Sequence, residues 1–91
     1  MKKTIYNKPW FVYIVECQDG TLYTGIARNV EERVKTHNRP SSNCKYTRIR
    51  QPVKLVYQER HKNHAQAWKR EKEIKGFTRE QKLGLIERKL F

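Results

Sequence analysis

The stretch FVYIVECQDGTLYTG, residues 11–25, has the pattern of a β-hairpin. Two runs rich in β-branched and aromatic residues flank the pair Asp19-Gly20, and an Asp-Gly pair in that setting is a strong short-range signal for a tight turn. The length of the turn decides which residues share a face, because a slip of one residue moves every side chain to the other side of the sheet.

Two registers of this hairpin are possible. A two-residue turn would put Tyr13 and Tyr23 on opposite faces, whereas a three-residue turn with Gly20 in the left-handed conformation puts both phenols on one face. In the second register Tyr13 lies opposite Gly25 and Tyr23 lies opposite Val15. We prefer this register, because the glycine leaves room for the phenol across from it. Either tyrosine alone would also fit the general preference of tyrosine for strands.

Composition excludes several classes of protein. The chain has 91 residues, 36% of them hydrophobic, and a mean hydropathy of −1.01, which suits one small domain with a modest core. No apolar run is long enough to span a membrane, and no signal-peptide core follows the first lysines. The two cysteines, Cys17 and Cys44, form neither a disulfide framework nor a zinc-binding spacing. We therefore expect a soluble, cytoplasmic protein without a membrane partner.

The charge points to a polyanionic partner. Lys and Arg number 21 against 9 acidic residues, so the formal net charge is +12 and the isoelectric point is about 10.1. A basic field of this strength on a small domain is typical of nucleic-acid binding. A protein associated with the ribosome, or one that is merely basic, would have the same charge. No protein partner can be inferred from the sequence.

The rest of the chain predicts a mixed fold. Asn29 with Glu32, and Thr78 with Gln81, have the spacing of helix-capping boxes, and Gly76 is placed to end a helix. The fold class is therefore α/β of the α+β type, in the order ββαβαα: a small three-stranded, mainly antiparallel sheet flanked by about three helices. The predicted segments are a basic lead-in over 1–9, a single domain over 10–90, strands 10–17, 21–27 and 53–60, a polar basic loop over 38–52, and helices over 29–38, 63–75 and from 78 onward.

Helical spacing singles out two residues of the first predicted helix. Arg33 and His37 border the apolar stripe of Val30 and Val34, and they lie four residues apart, so their side chains share a face. An arginine at the edge of the core needs an anion to compensate its charge. That anion could be a carboxylate of this chain, or a phosphate held by the planar guanidinium through two hydrogen bonds.

Glu71 is the carboxylate that the second predicted helix directs toward the core. On a helical wheel it lies in the stripe of Ala67, Trp68 and Ile74, whereas Glu73 points away. A buried carboxylate needs a partner. The partner could be Arg33 or a lysine, or it could be a divalent metal, which binds carboxylate oxygens readily.

Together these motifs resemble the GIY-YIG nuclease superfamily, and above all its small stand-alone bacterial members of the UPF0213 type. The similarity rests on VYI at 12–14, YTG at 23–25, Arg33 in the following helix and Glu71 in a later one. The stretch LYTGIARNVEERVKTHN, residues 22–38, also resembles part of the excision-repair and structure-specific endonucleases of that superfamily. Phe11 and Val12 replace the glycine and isoleucine of the first motif.

The resemblance implies a site and a chemistry. Glu71 would hold one Mg²⁺ or Mn²⁺ ion, and Arg33 would bind the scissile phosphate. Tyr13 would take the proton from the attacking water, while Tyr23 and His37 orient or assist and Gly25 has a structural role. A free phenol has a pKa of about 10 and is a poor base at neutral pH, so we expect Arg33 and the metal to lower the pKa of Tyr13.

The basic loop completes the predicted interface. We expect Lys45, Arg48 and Arg50 to follow the nucleic-acid backbone and Tyr46 to stack on a base, although a tyrosine in a loop can also simply be solvated. The sequence therefore favours a metal-dependent nuclease that acts on nucleic acid, with DNA preferred. The alternative is a non-catalytic module that keeps the fold and binds DNA or structured RNA.

Overall fold

The computed structural model describes residues 8–89 and contains a three-stranded antiparallel sheet with helices on both faces. The strand order is β2-β1-β3, so the first strand is central and both its neighbours are antiparallel to it. The predicted fold class and element order are confirmed, with one additional short helix. The elements are β1 (Trp10–Glu16), β2 (Leu22–Ala27), α1 (Val30–His37), α2 (Lys45–Arg48), β3 (Lys54–His61), α3 (His64–Lys75) and α4 (Arg79–Lys89).

The hairpin adopts the register with the three-residue turn. Tyr13 pairs with Gly25 and Val15 pairs with Tyr23, so the two tyrosines lie on the same face of the sheet. Gly20 has a φ of 86°, which is the left-handed conformation that this turn requires and that glycine adopts without strain. The preferred register is therefore confirmed.

The third strand departs from simple alternation because it contains a β-bulge. Ile14 pairs with Tyr57, but Val15 pairs with Leu55, which leaves Val56 as the extra residue. A bulge puts two residues of one strand opposite one residue of its partner. Leu55 and Tyr57 therefore lie on opposite faces of the sheet, and Leu55 is 36% exposed.

The two faces of the sheet carry separate apolar clusters. The first face packs Tyr13 and Val15 against Val30 of α1, with Val34 at its edge. The second face is covered by α3 and α4. Its packed residues are Val12, Ile14, Tyr57, Ala67 and Ile74, with Phe77, Leu85 and Ile86 at their border. The side chains of the hairpin thus alternate between a layer that contains α1 and a layer that contains α3.

Local signals determine the helix ends. The Asn29 side chain accepts a hydrogen bond from the Glu32 amide at 3.0 Å, and Asn63 caps α3 in the same way. Thr78 and Gln81 form the full reciprocal capping box, with bonds of 3.1 and 2.9 Å. The segment 38–52, predicted as a loop, also contains the one-turn helix α2. Among residues 8–89, none of the helices has the length and apolar character needed to cross a bilayer.

Candidate active site

A buried pair of side chains, Tyr13 and His37, lies at the centre of the candidate site. Tyr13 is 1% exposed and His37 is fully buried. The Tyr13 hydroxyl oxygen lies 2.7 Å from His37 Nε2, and the two residues are 24 positions apart in the chain. The strand β1 supplies the phenol and the last residue of α1 supplies the imidazole, so the pair forms only when α1 packs on this face.

The second nitrogen of His37 determines the direction of this hydrogen bond. His37 Nδ1 lies 2.7 Å from Thr47 Oγ1, and the Thr47 hydroxyl donates to the Cys44 carbonyl oxygen at 3.3 Å. Because the threonine uses its single proton there, we assign the Nδ1 proton to His37, which then donates to Thr47. His37 Nε2 is consequently an acceptor, and the Tyr13 hydroxyl donates to it.

The surroundings keep both members of the pair neutral. Burial, with a smaller contribution from the charge of Arg33, lowers the pKa of His37 to about 4. Burial also raises the pKa of Tyr13 above its usual value, and the nearby Arg33 guanidinium opposes this shift without overcoming it. Arg33 therefore acts in the expected direction, but the pKa of Tyr13 in the protein alone is still raised, because desolvation of the phenolate is the larger effect.

Gly25 lies directly against the Tyr13 ring. A Cβ atom added to Gly25 would lie 2.5 Å from the Tyr13 hydroxyl oxygen and 2.7 Å from its Cζ atom. These distances are shorter than any van der Waals contact, so the phenol occupies the space that a side chain at position 25 would take. The structural role predicted for Gly25 follows from this close approach.

Arg33 is a half-buried cation next to this pair. Its guanidinium is close enough to Tyr13 to lower the pKa of that phenol. Across the described residues 8–89, no carboxylate lies within 4 Å of Arg33. Of the two anions that the sequence left open, a carboxylate of the described chain is therefore not the partner.

Glu71 approaches the site from the other layer. Its side chain is 14% exposed, and its carboxylate pairs with Lys75 at 3.3 Å, so its protein partner is a lysine of its own helix rather than Arg33. The charge of Glu71 contributes to the raised pKa of Tyr13, which places the carboxylate within electrostatic reach of the phenol. The wheel also put Trp68 on the buried stripe, but Trp68 is 50% exposed and only Ala67 and Ile74 are buried there.

The donor set fits a metal that binds together with a phosphate. Within the described part of the chain, no three His, Cys, Asp or Glu side chains come together in a way that could hold an ion. Glu71 therefore offers one carboxylate only. Mg²⁺ commonly binds through one or two carboxylates, several waters and the phosphates of the substrate, so a single carboxylate next to a phosphate-binding arginine is compatible with such an ion.

Tyr23 connects the buried pair to the surface. Its ring lies 5.4 Å from the His37 ring and 5.7 Å from the Tyr46 ring, on which it stacks. Burial, together with the neighbouring Cys44 thiol, raises the pKa of Tyr23, so it remains a phenol that can donate one hydrogen bond. The Lys75 ammonium lies 5.9 Å from the centre of the Tyr23 ring.

The predicted nucleic-acid residues are in or next to α2. Tyr46 is 38% exposed, and the Arg50 guanidinium lies 3.9 Å from the centre of its ring, so Tyr46 is neither an isolated solvated residue nor freely open for stacking. Arg50 also pairs with Asp19 at 3.1 Å. Arg48 donates to the Ser42 carbonyl oxygen, while Lys45 is exposed.

Sequence reasoning missed three residues of this site. Thr47 sets the tautomer of His37, and Lys75 pairs with Glu71. Cys44 lies beside Tyr23; burial raises the pKa of its thiol, but hydrogen bonds from Thr47 and Tyr23 outweigh burial and the pKa is lowered. The i,i+4 spacing of Glu71 and Lys75 was visible in the sequence. The positions of Thr47 and Cys44 depend on how the segment 38–52 folds back.

Comparisons with known proteins show the family of this chain. The family model of the GIY-YIG catalytic domain matches residues 9–83 of the sequence. UPF0213 proteins of Staphylococcus aureus strains Mu3 and Mu50 are each 57% identical to this chain over 76 residues, which cover 84% of this chain and 92% of each relative. The solution NMR structure of a UPF0213 protein from Bacillus halodurans is 37% identical, with a TM-score of 0.56, and the match covers 87% of this chain and 83% of that chain. The family match spans the candidate site from Tyr13 to Glu71.

Proposed function

The chain belongs to the GIY-YIG family, and we propose that it is a metal-dependent nuclease that hydrolyses phosphodiester bonds, with DNA as its substrate. The observation that carries this proposal is the half-buried Arg33, which has no carboxylate partner within the described residues and lies beside a buried tyrosine–histidine pair. A cation in such a place needs an anion. A phosphodiester supplies that anion at the position where the reaction would occur.

Arg33 would bind the scissile phosphate and stabilise the charge that develops on it. Two parallel N–H bonds from a guanidinium match two phosphate oxygens, which fixes the orientation of the phosphate as well as its position. Arg33 projects from α1, the helix that also supplies His37. The phosphate is therefore brought close to the pair that handles the proton.

Tyr13 and His37 would move the proton of the attacking water together. The water proton passes to the Tyr13 oxygen while the Tyr13 proton passes to His37 Nε2, to which the hydroxyl already donates. The phenol therefore never has to exist as a free phenolate, which its raised pKa disfavours. His37 is able to accept the proton because its low pKa keeps it neutral beforehand. The positive charge that it gains is offset by the charge growing on the attacked phosphate.

Glu71 would hold the divalent ion. A Mg²⁺ or Mn²⁺ ion bound there supplies positive charge to the phosphate and to the leaving oxygen. Glu71 suits this role because its side chain is mostly buried, and because the cation that pairs with it among the described residues, Lys75, is half-exposed. Tyr23 would help to orient the attacking water by accepting a hydrogen bond on its phenolic oxygen, since its own hydroxyl proton is donated to Cys44.

A cleavage assay with matched variants tests the proposal. The protein is incubated with duplex, single-stranded, flap and branched DNA, and with the corresponding RNA, in Mg²⁺, Mn²⁺ or EDTA. We expect cleavage of DNA that EDTA abolishes. Glu71→Gln should reduce the rate about a hundredfold or more, because several kcal/mol of charge stabilisation depend on the ion. Tyr13→Phe should reduce it by about 10²–10⁴-fold, the usual contribution of proton transfer.

The control is Glu73→Gln on the same helix. Glu73 is 59% exposed and pairs with Arg70, away from Tyr13, so this variant should cleave at the wild-type rate. Cleavage that persists in EDTA, or a Glu71→Gln protein as active as Glu73→Gln, would rule out the proposed metal-dependent chemistry. Tight DNA binding without cleavage in any metal would favour the non-catalytic module instead.

A further inference from the structure

Lys75 occupies a position between the two parts of the candidate site. Its ammonium lies 3.3 Å from the Glu71 carboxylate and 5.9 Å from the centre of the Tyr23 ring. Glu71 is 14% exposed, whereas Lys75 is 50% exposed. The Glu71 side chain is therefore largely enclosed by the protein, whereas the Lys75 side chain extends to it along the half-exposed surface.

This ammonium and a divalent cation need the same carboxylate oxygens. A metal that binds Glu71 repels the ammonium at 3.3 Å, so the lysine has to leave before or while the metal enters. Lys75 is half-exposed, and the only ion pair that it makes within the described residues is the one with Glu71, so little else holds it there. The pair therefore weakens metal binding to the protein alone.

A phosphate bound at Arg33 would give Lys75 a second anion to pair with, because Tyr23 links the two cations. The face of Tyr23 is within the roughly 6 Å range at which a cation is attracted to an aromatic ring. The Tyr23 ring meets the His37 ring edge to face, with 5.4 Å between the ring centres, and His37 belongs to the pair beside Arg33. A phosphate on Arg33 would thus lie near the ammonium and draw it away from Glu71.

We propose that Lys75 is a positioning residue that couples metal binding to nucleic-acid binding. It neutralises Glu71 in the free protein, moves to the nucleic-acid phosphate in the complex, and so makes the carboxylate available to the ion only when substrate is bound. This inference rests on the proposed function, since it takes Glu71 as the metal ligand. Linkage then requires that each ligand raises the affinity for the other by the same factor.

The first test measures Mn²⁺ binding without substrate, by the electron paramagnetic resonance signal of free Mn²⁺. Lys75→Met keeps the length of the side chain and removes its charge, and it should bind Mn²⁺ about two- to fivefold more tightly than wild type, the scale of a partly exposed ion pair. Lys75→Arg should bind like wild type. The control is Lys72→Met, because Lys72 is on the same helix but lies 4.5 Å from the Trp68 ring and makes no ion pair with Glu71.

The second test adds duplex DNA in the Tyr13→Phe background, in which the proposed chemistry leaves the DNA intact. DNA should raise the Mn²⁺ affinity of Tyr13→Phe by more than it raises that of Tyr13→Phe/Lys75→Met, after subtraction of Mn²⁺ bound in a Glu71→Gln control. The difference is the coupling that Lys75 contributes.

The outcomes separate the two proposals. If Glu71→Gln abolishes Mn²⁺ binding but Lys75→Met binds like wild type and Lys72→Met, the coupling role of Lys75 is wrong and the metal site stands. If Glu71→Gln binds Mn²⁺ as well as wild type does, or if no variant binds Mn²⁺ with or without DNA, both the metal site and the coupling are overturned.

Discussion

At the scale of single residues, the proposed role of Tyr13 requires a buried phenol to give up its proton. Its hydroxyl is enclosed by Gly25 on one side and by His37 on the other. This enclosure raises its pKa, which makes it a poor base by itself. In the proposed mechanism His37, which accepts the Tyr13 hydrogen bond, would receive the proton directly, so that no free phenolate would have to form. The proposed proton transfer therefore depends on the position of the ring between Gly25 and His37.

Gly25→Ala tests this dependence on position. The added Cβ would lie 2.5 Å from the Tyr13 oxygen, so the buried ring has to shift away from it. We expect a loss of about 1–3 kcal/mol of unfolding free energy from overpacking, measured by urea denaturation, and a loss of cleavage because the contact with His37 is displaced. The control is Gly84→Ala in α4, where no atom lies within 4 Å. That change should stabilise the helix by about 0.8–1 kcal/mol and leave activity unaffected, so equal effects at the two glycines would contradict the crowding argument.

His37 predicts a specific acid sensitivity. Its pKa is lowered from the usual 6.5 to about 4 by burial, so between these values the unfolded chain binds a proton that the native protein does not bind. Stability from this residue is complete above pH 6.5 and falls as the pH decreases toward 4, by about 3 kcal/mol in total. Urea denaturation from pH 7.5 to 4 should show this decline, and His37→Gln should lack it. The exposed His64 provides the control, since His64→Gln should leave the decline as in wild type.

At the scale of elements, the edge strand β3 is joined to α3 by a compact polar cluster around Glu59. Its carboxylate accepts hydrogen bonds from the Tyr57 hydroxyl, from His61 Nε2 at 2.7 Å and from Arg70 Nε at 2.8 Å. Burial raises the pKa of Glu59, but these three donors outweigh burial and the pKa is lowered. The cluster fixes the position of the helix that carries Glu71, so it supports the candidate site without belonging to it.

Replacing this carboxylate should destabilise the protein. Glu59→Gln weakens the acceptor for three donors, and we expect a loss of about 1–3 kcal/mol in urea denaturation. Because the native pKa of Glu59 is depressed, its contribution is present above the unfolded value of about 4.3 and is lost as the pH falls below it. Glu73→Gln removes only the exposed contact with Arg70 and should change stability by about 0.5 kcal/mol or less. If both variants lost the same unfolding free energy, the cluster around Glu59 would contribute no more to stability than the exposed ion pair of Glu73.

At the scale of the whole molecule, the net charge of +12 governs how the protein meets nucleic acid. The cations are not equivalent, however. Arg50 is paired with Asp19 and lies against Tyr46, whereas Lys45 is exposed and no carboxylate lies within 4 Å of it among the described residues. A long-range field depends on all charges, but counterion release counts those that touch phosphates.

Salt titrations of DNA affinity separate these contributions. The slope of log K against log[salt] should become shallower by about one for Lys45→Ala and for Arg48→Ala, since each lost phosphate contact removes about one released counterion. Arg50→Ala should change the slope less, because its charge is already paired. Arg88→Ala, on α4 in the opposite layer, is the control and should leave the slope unchanged. Equal slopes for all four variants would mean that α2 does not contact the DNA backbone.

The sequence by itself determined the features that depend on neighbouring residues. The Asp19-Gly20 pair predicted the hairpin, and Gly25 favoured the register that puts Tyr13 and Tyr23 on the same face. Capping residues such as Asn29 defined the helix ends. A turn or a cap forms from a few consecutive residues, so the types and spacing of those residues determine its geometry.

Only the tertiary structure decided the partners of the side chains. In the folded protein Glu71 pairs with Lys75 rather than with Arg33, and Arg33 has no carboxylate partner among the described residues. His37 is buried between Tyr13 and Thr47, a residue of the segment 38–52. These pairings, and the direction in which the pKa of Tyr13 moves, depend on distances between layers and on how completely water is excluded. A linear pattern specifies which face a residue occupies, but the group across from it is chosen by how the layers pack.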